Sequence, residues 1–364
     1  MPVNQAKIEA QKREFTNEYV KMNGRDCSHL IVTGTTGWGK TTVLFWLIDA
    51  IVRYCIKSLG ASGKQETIVW YDSRKSSEAL TLLTMWNVRF LIPKGCKLTI
   101  NIRKDCKYKL HEYEIIEMDN PMLPWQYVRK GWINVICLKP YVLDPGTVSY
   151  IIGKYFRSLV EMAHNKLIPV PMALFLDEFQ RLAPATNHNR SGSQVEATQW
   201  IEENIQTVRS LEIRIIAVSH QPSEVARSIR KEFSWQLPRR GTCYTFQDEP
   251  RLARFNKTWG FLDKLDLIFV RPDRTFSDVI GIDFYPLAEE EIGEMIYDGI
   301  VVREDKIIIT VGQDKKTSVD PLPCDTCKLA HELDGTKVIC KDMMKIYELD
   351  DIREKGCTDK EAKA

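Results

Sequence analysis

The sequence of 364 residues predicts an α/β fold whose sheet is mainly parallel. The first observation behind this prediction is rhythm: short runs rich in β-branched residues alternate with longer helical stretches, as strands alternate with the crossover helices that join them. The second is composition. With 44% hydrophobic and 27% charged residues, the chain can bury a sizeable core, which excludes wholesale disorder.

The predicted elements follow one another in a simple order. Residues 1–24 form a polar, helical lead-in, and residues 25–285 form the core. The predicted strands of the core are Leu30–Thr33, Thr67–Tyr71, Ile133–Leu138, Met172–Leu176 and Ile213–Val218. The helices predicted between them are Thr41–Leu59, Thr147–Asn165 and Val195–Leu211.

Three segments depart from this rhythm. Residues 86–124 have the pattern of short strands or hairpins, which predicts a β-rich insertion on the sheet. Residues 286–319 predict a small unit in which an acidic helix, Leu287–Tyr297, precedes a hairpin. Residues 320–364 form a polar, cysteine-rich tail.

Charge and targeting signals narrow the classes of function. Lys and Arg number 51 against 49 Asp and Glu, so any contact with nucleic acid must come from local patches rather than from a basic field over the whole surface. The best candidate for a membrane span, Val43 to Ile56, is interrupted by Asp49 and Arg53 and is too short. The N-terminus lacks the apolar segment of a signal peptide. We therefore expect a soluble, cytoplasmic chain without membrane insertion.

The sharpest motif is a glycine-rich turn between the first strand and the first helix. Residues 34–41 read Gly-Thr-Thr-Gly-Trp-Gly-Lys-Thr and fit G-x-x-x-x-G-K-[ST]. Glycines let successive backbone N–H groups point inward at phosphate oxygens, at the N-terminus of a helix. Lys40 then reaches the β- and γ-phosphates of ATP, and the Thr41 hydroxyl ligates Mg²⁺. The predicted nucleotide-binding residues are Gly34, Thr35, Thr36, Gly37, Trp38, Gly39, Lys40, Thr41 and Thr42.

A second motif ends the strand Met172–Leu176 with two acids, Asp177 and Glu178. An ATPase with a phosphate loop needs a carboxylate at the end of a neighbouring strand to orient Mg²⁺ and water. Because side chains alternate along a strand, two successive acids point in different directions and suit different jobs. We expect Asp177 to hold the metal and Glu178 to polarise the attacking water.

A third strand, Ile213–Val218, ends in the polar residues Ser219, His220 and Gln221. The three motifs in this order resemble the HerA/FtsK superfamily of ring-forming DNA-translocating ATPases, which includes viral genome-packaging ATPases and conjugative coupling proteins. The likeness spans roughly residues 25–285. It implies a RecA-like P-loop NTPase core, a homo-hexamer with ATP between subunits, and double-stranded DNA in the channel. The implied role is genome packaging or plasmid transfer, in the host cytoplasm if the protein is viral.

The resemblance implies two further roles. Family members often carry an arginine shortly before the third strand that reaches the ATP site of the neighbouring subunit. Arg209 is the first candidate for this role and Arg214 the second. The sensor of the family is a glutamine directly after Ser or Thr, but here His220 occupies that place and Gln221 follows. The sensor is therefore open between these two residues.

Two other functions remain open on the sequence alone. One is a ring ATPase of a secretion or pilus system that moves protein, and the other is an assembly scaffold gated by nucleotide. The acid pair argues against the scaffold, because a binding switch has less need of a carboxylate that activates water. For DNA contact, the cation-rich stretch Arg89–Lys109 is a candidate; the alternative, which we favour, is a solvated hairpin offset by the acids that follow it.

The cysteines fall into two groups. Six are scattered, which predicts reduced thiols rather than a disulfide framework. The other four lie in the last 41 residues. There, Cys324, Cys327, His331 and Cys340 offer the ligand types of a structural zinc site, with the C-x-x-C pair as its anchor. A redox pair or incidental thiols are the alternatives.

Overall fold

The computed structural model describes most of the core. The described residues are 5–22, 27–60, 62–72, 77–141, 145–185, 192–304, 307–311, 330–334, 337–340 and 345–348. Across those residues, no helix combines the length and the apolar character that a membrane span requires. Cys324 and Cys327 of the predicted zinc site lie outside the described residues.

Eight strands form the central sheet. They are β1 (Leu30–Thr33), β2 (Thr67–Asp72), β3 (Val88–Pro93), β5 (Tyr113–Met118), β6 (Ile133–Cys137), β7 (Met172–Leu176), β8 (Ile213–Ser219) and β9 (Trp235–Pro238). Their order is β5-β3-β6-β2-β7-β8-β1-β9, and each neighbouring pair is parallel. The carboxyl ends of the strands therefore meet at one edge, where parallel sheets place their ligands. All five strands predicted for the core are confirmed.

The remaining strands form small antiparallel sheets. They are β4 (Lys97–Ile102), β10 (Asp266–Leu267), β11 (Ile280–Gly281), β12 (Gly293–Asp298), β13 (Ile300–Glu304), β14 (Ile307–Val311), β15 (Ala330–Asp334), β16 (Lys337–Cys340) and β17 (Lys345–Glu348). β10 pairs with β11, β4 with β12, and β13 with β14, while β15, β16 and β17 form a three-stranded sheet. The predicted hairpin after residue 299 is thus present.

Helices cover both faces of the central sheet. They are α1 (Gln5–Phe15), α2 (Lys40–Ile51), α3 (Pro145–His164), α4 (Gly192–Ser210), α5 (Arg227–Arg230), α6 (Pro250–Ala253) and α7 (Asn256–Trp259). Short π turns extend α1 and α2 over Thr16–Val20 and Val52–Ile56. α3 and α4 pack on each other, with Gly153 lying where a Cβ would collide with the Trp200 ring.

Alternation along the strands creates the two cores. On β1, Leu30 and Val32 face the core that α1 and α2 cover, whereas Ile31 faces the core that α3 and α4 cover. On β2, Trp70 belongs to the first core and Tyr71 to the second. The molecule is therefore a three-layer structure, with strands buried on both sides as their continuous apolar runs require.

The segment 86–124 is β-rich as predicted, but its strands do not stand apart from the sheet. β3 and β5 extend the central sheet at one edge, and β4 pairs with β12 instead. The acidic helix predicted over Leu287–Tyr297 is wrong. A π turn covers only Ala288–Ile292, and β12 follows it. Pairing with β4 overrides the local helical preference of the glutamates. β4 is distant in sequence but adjacent in the fold, so local sequence does not signal this pairing.

Candidate active site

The glycine-rich turn between β1 and α2 has the geometry of a phosphate loop. Gly39 precedes α2 in a left-handed conformation at φ 72°, where a Cβ would lie 2.7 Å from the Lys264 carbonyl oxygen. A side chain is excluded here by both backbone conformation and space. The N–H groups of Gly34 and Thr35 bind the carbonyls of His220 and Arg240, at 3.1 Å each. These two bonds anchor the turn, so the N–H groups that face a phosphate are those that follow, at the start of α2.

Lys40 lies inside this turn and is 9% exposed. Its ammonium donates to the carbonyl oxygens of Gly34 at 2.7 Å and Thr35 at 3.0 Å. It also lies 3.2 Å from Nδ1 of His220. An ammonium group has no lone pair to accept with, so Nδ1 of His220 is the acceptor in this contact. The lysine is thus held in place by groups that phosphate oxygens can replace.

The two acids after β7 are held in different ways. Asp177 is 7% exposed, and its Oδ1 accepts a hydrogen bond of 2.9 Å from the N–H of Glu178. Glu178 adopts a left-handed conformation at φ 51°, which turns the chain sharply off the strand. The side chain of Glu178 remains 18% exposed and pairs with Arg181 at 2.9 Å. The buried acid suits metal binding, and the accessible one suits a water molecule.

One cavity of about 640 Å³ collects these groups. Lys40, Thr41, Asp177, Glu178 and His220 all line it, together with Thr36, Gly37, Gly39 and Thr42 of the predicted nucleotide-binding set. The order of the strands in the sheet explains how these residues come together. β8 lies between β1 and β7, so the end of the third strand sits between the phosphate loop and the acids rather than beyond them.

The cavity also has an apolar wall. Phe45 of α2, Leu265 and Tyr285 line it, as does Phe284, which is 62% exposed. The hydroxyl of Tyr285 donates to Asp49 at 3.4 Å. A site that combines phosphate-binding groups with aromatic side chains suits a nucleotide, whose base is apolar and whose phosphates are charged.

The structure separates the two sensor candidates. His220 lines the cavity and contacts Lys40, and its Nδ1 lies 3.4 Å from the Thr36 hydroxyl. Gln221 turns the other way: its Nε2 donates to the Gly241 carbonyl at 2.7 Å, and its Oε1 accepts from the N–H of Cys243 at 2.8 Å. Gln221 therefore holds a neighbouring loop, and of the two residues only His220 is brought to the site.

The structure also separates the two arginine candidates. Arg214 is fully buried and forms a bidentate ion pair with Glu66 at 2.7 and 2.9 Å. The second candidate is therefore wrong, because a side chain enclosed in its own subunit cannot reach another one. Arg209 lies exposed in the last turn of α4, at the amino end of β8 and hence at the sheet edge opposite the cavity. Its role toward a neighbouring subunit stays a prediction.

Sequence reasoning missed Arg239. It directly follows β9, is fully buried, and donates through Nη2 to the Trp38 carbonyl of the phosphate loop at 3.0 Å. The same guanidinium donates to the carbonyl oxygens of Lys264 and Asp266. Burial lowers the pKa of Arg239 to about 10, although the charge of Asp266 opposes this. The side chain still carries its charge at neutral pH, directly behind the loop.

The zinc site stays a prediction. Within the described residues, no group of three or more His, Cys, Asp or Glu side chains is placed to hold a metal ion. In the backbone register, His331 pairs with Ile339 and Cys340 with Ala330. Cys324 and Cys327, the anchor of the predicted site, fall outside the described ranges.

Comparisons with known proteins give structural neighbours only. No family model matches the chain, and no curated protein matches it. Among solved structures, the chain is similar to the genome packaging NTPase B204 of Sulfolobus turreted icosahedral virus 2 in complex with ATP-gammaS, at 10% identity and a TM-score of 0.42, over 71% of this chain and 98% of that one.

Two further similarities extend the set. The pCW3 conjugation coupling protein TcpA, solved with ATPgS, is 11% identical over 72% of this chain and 62% of its own, at a TM-score of 0.41. EccC of Thermomonospora curvata (ATPases 2 and 3), solved with a signal sequence peptide, is 13% identical over 74% of this chain and 40% of its own, at a TM-score of 0.39. The structural neighbours are HerA/FtsK-type P-loop ATPases, the group that the motifs resemble. The parallel sheet, its flanking helices and the phosphate loop form an α/β P-loop NTPase fold.

Proposed function

We propose that this protein is a ring-forming ATPase that uses ATP and Mg²⁺ to translocate double-stranded DNA, in genome packaging or plasmid transfer. The observation that carries the ATPase part is the convergence of Lys40, Thr41, Asp177 and Glu178 on one cavity. These residues come from two loops that are 137 positions apart in sequence, at Lys40 and Asp177. The DNA and ring parts rest on the motif resemblance.

ATP binds with its phosphates in the turn that precedes α2. Backbone N–H groups at the start of the helix donate to the phosphate oxygens, and the helix dipole favours the negative charge. Lys40 exchanges its carbonyl partners for β- and γ-phosphate oxygens. The base lies toward the apolar wall that Phe45 and Tyr285 form.

The residues present fit a magnesium ion. Thr41 and Asp177 offer a hydroxyl and a carboxylate oxygen to the same cavity, and oxygen is the ligand atom that Mg²⁺ prefers. When bound, the ion neutralises charge that develops on the phosphates. Asp177 is kept in position by the N–H of Glu178.

Glu178 accepts the proton of the attacking water. Its carboxylate is accessible from the cavity, and the left-handed backbone at this residue separates it from Asp177. To reach a water, Glu178 has to break its ion pair with Arg181. This costs little free energy because Arg181 is exposed. His220 reports the γ-phosphate through its contact with Lys40, and Arg209 completes the site of the neighbouring subunit.

The experiment that tests this function is the ATPase rate with and without double-stranded DNA. We expect DNA to stimulate the wild type, and Lys40→Ala to lower the rate by about 10² to 10³-fold, as losses of phosphate-stabilising groups do. Robust hydrolysis that ignores DNA but rises with a protein substrate would support the protein-moving ATPase instead. ATP binding without hydrolysis would support the nucleotide-gated scaffold.

A further inference from the structure

The segment 250–262 presents a charged outer face. Its helices α6 and α7 are short, and Leu252, Trp259 and Leu262 anchor them in a small core of their own. Between these buried positions, Arg251, Arg254, Lys257 and Phe261 are exposed. The exposed positions alternate in sequence with the buried anchors, so they lie on the outer side of the segment. We call these four residues, with Phe255, the cationic–aromatic face.

The three cations of this face lack carboxylate partners. Residues 250–262 contain no acid, and within the described part of the chain none of the three forms an ion pair. The two acids just before the segment already form ion pairs with other arginines. Asp248 pairs with Arg230 at 2.9 Å and Arg227 at 3.3 Å, and Glu249 pairs with Arg274 at 2.8 Å. The three cations are therefore not neutralised by ion pairs within the described residues, and the next acid along the chain, Asp263, lies outside the face.

Exposed aromatic side chains accompany the charge. Phe261 is 85% exposed and Phe255 39% exposed. A single exposed phenylalanine is ordinary, but exposed rings in the same segment as unpaired cations are a combination that suits nucleic-acid binding. Arginine and lysine neutralise phosphates, and aromatic rings stack on bases that are accessible.

The other cation-rich stretch shows the contrast. In Arg89–Lys109, Arg89 pairs with Glu114 at 2.7 Å, Lys94 with Asp119 at 2.7 Å and Arg103 with Asp105 at 3.0 Å. Lys97, Lys104, Lys107 and Lys109 form no ion pair within the described residues, so ion pairs neutralise three of the seven cations of this stretch. The two stretches differ in the acids they carry: Asp105 lies within Arg89–Lys109, and Glu112, Glu114, Glu117 and Asp119 follow it, whereas residues 250–262 contain no acid.

The cationic–aromatic face is joined to the phosphate loop at both ends. On one side, the Arg240 carbonyl accepts the Thr35 N–H at 3.1 Å. On the other side, Lys264 lines the nucleotide cavity, and its carbonyl accepts from Arg239, which also holds Trp38. The phosphate loop is therefore hydrogen-bonded to the chain on both sides of this segment, through Arg240 before it and through Arg239 to Lys264 after it.

We propose that the cationic–aromatic face is a DNA-contacting surface that binds the phosphate backbone next to the nucleotide site. This inference rests on the proposed function, because it names where the DNA of that function is held. Arg251, Arg254 and Lys257 contact the phosphates, and the ring of Phe261 stacks on bases where a strand exposes them.

The test is DNA binding by fluorescence anisotropy, with a labelled duplex and a labelled single strand of the same sequence at several salt concentrations. The variant is the triple substitution Arg251→Gln, Arg254→Gln, Lys257→Gln. The matched control is Lys104→Gln, Lys107→Gln, Lys109→Gln, which also removes three exposed cations. Thermal unfolding checks both folds, and we expect midpoints within about 2 °C of the wild type because all six residues are on the surface.

We expect the first triple variant to bind DNA at least tenfold more weakly. The slope of log affinity against log salt should shrink by roughly 2 to 3, since each lost phosphate contact removes about 0.9. The control should change affinity less than twofold. Equal weakening by both triple variants, or wild-type affinity of the first, overturns the inference.

Two other outcomes separate this inference from the proposed function. If the wild type binds DNA and the first triple variant loses only its oligomeric state in sedimentation, the face is a subunit interface and the inference alone fails. If the wild type binds neither form of DNA, the inference fails together with the DNA part of the proposed function, while ATP hydrolysis still tests the rest.

Discussion

Arg214 and Arg239 are both fully buried, yet their surroundings differ. Arg214 faces the Glu66 carboxylate in a bidentate pair and also donates to the Tyr19 carbonyl at 3.0 Å. Burial disfavours its charge most strongly, but Glu66, Tyr19 and Cys55 together outweigh burial and raise the pKa of Arg214. Within the described residues, the guanidinium of Arg239 has only carbonyl oxygens as hydrogen-bond partners, and burial lowers its pKa to about 10.

The difference shows which arginine serves the structure and which serves the site. A bidentate pair such as that of Arg214 satisfies its own charge and exerts little field beyond it. An unneutralised guanidinium behind the phosphate loop is expensive to bury, and its field reaches whatever lies in the loop. We interpret Arg239 as a positioning residue that holds the loop and favours the negative charge of phosphates there.

Removing Arg214 alone should have the largest effect on stability. Arg214→Met leaves Glu66 buried without a partner, and we expect the free energy of unfolding to fall by about 3–5 kcal/mol. Chemical denaturation measures it. The double variant Arg214→Met, Glu66→Met should recover most of the loss, because an apolar pair replaces the ionic one. A double variant as unstable as the single one would contradict this account of the pair.

His29 extends the comparison to a buried group that can lose its proton and become neutral. Its Nε2 donates to the Ile205 carbonyl at 2.9 Å, and its Nδ1 accepts from the Ile215 N–H at 3.0 Å. Burial lowers the pKa of His29 to about 4, so this histidine is neutral at pH 7, whereas Arg239 cannot shed its proton.

The sign of the pH dependence follows from that lowered pKa. The folded state resists protonation of His29, so its contribution to stability is complete above about pH 6.5 and is lost as the pH falls toward 4. The pKa difference corresponds to about 3 kcal/mol. His29→Gln should be less stable at pH 7 but show a shallower loss between pH 6.5 and 4 in denaturant titrations. An unchanged slope would show that other groups cause the acid sensitivity.

Replacing Arg239 should affect nucleotide binding more than the Arg214 variants do. One charge acting on another about 10 Å away contributes on the order of 1–2 kcal/mol at the effective dielectric of a protein, so Arg239→Met should weaken ATP binding roughly tenfold. Calorimetric titration measures it. Arg239→Lys keeps the charge and should restore part of the affinity, which a purely structural role would not explain.

The Arg214→Met, Glu66→Met double variant is the control for that measurement. It changes an equally buried arginine far from the loop, and we expect it to bind ATP as the wild type does. If this control and Arg239→Met weaken ATP binding alike, the distinction between the two arginines fails.

The sequence could predict features that carry a local pattern, but not contacts between residues far apart in sequence. The core strands and the phosphate loop carry local patterns, so their residues were identified before the structure. The brace was not. β9 is a four-residue strand that ends in proline, and Arg239 contacts Trp38 across 201 positions of sequence. No local pattern signals such a contact.

Two other sequence predictions show the same limit. The choice between His220 and Gln221 depended on which way each side chain turns, and loop 241–243 decides that for Gln221. The acidic run before β12 favours a helix locally, but Gly293 lies against the Asn101 carbonyl, where a Cβ would collide. Pairing partners that are distant in sequence decided both cases.

The central claim is that the cavity at the carboxyl edge of the sheet binds ATP and hydrolyses it through Glu178. The most direct test is Glu178→Gln, which keeps the shape and hydrogen-bonding capacity of the side chain but removes its basicity. We expect ATP affinity within threefold of the wild type and single-turnover hydrolysis slower by about 10² to 10⁴-fold. Hydrolysis at the wild-type rate would contradict the claim.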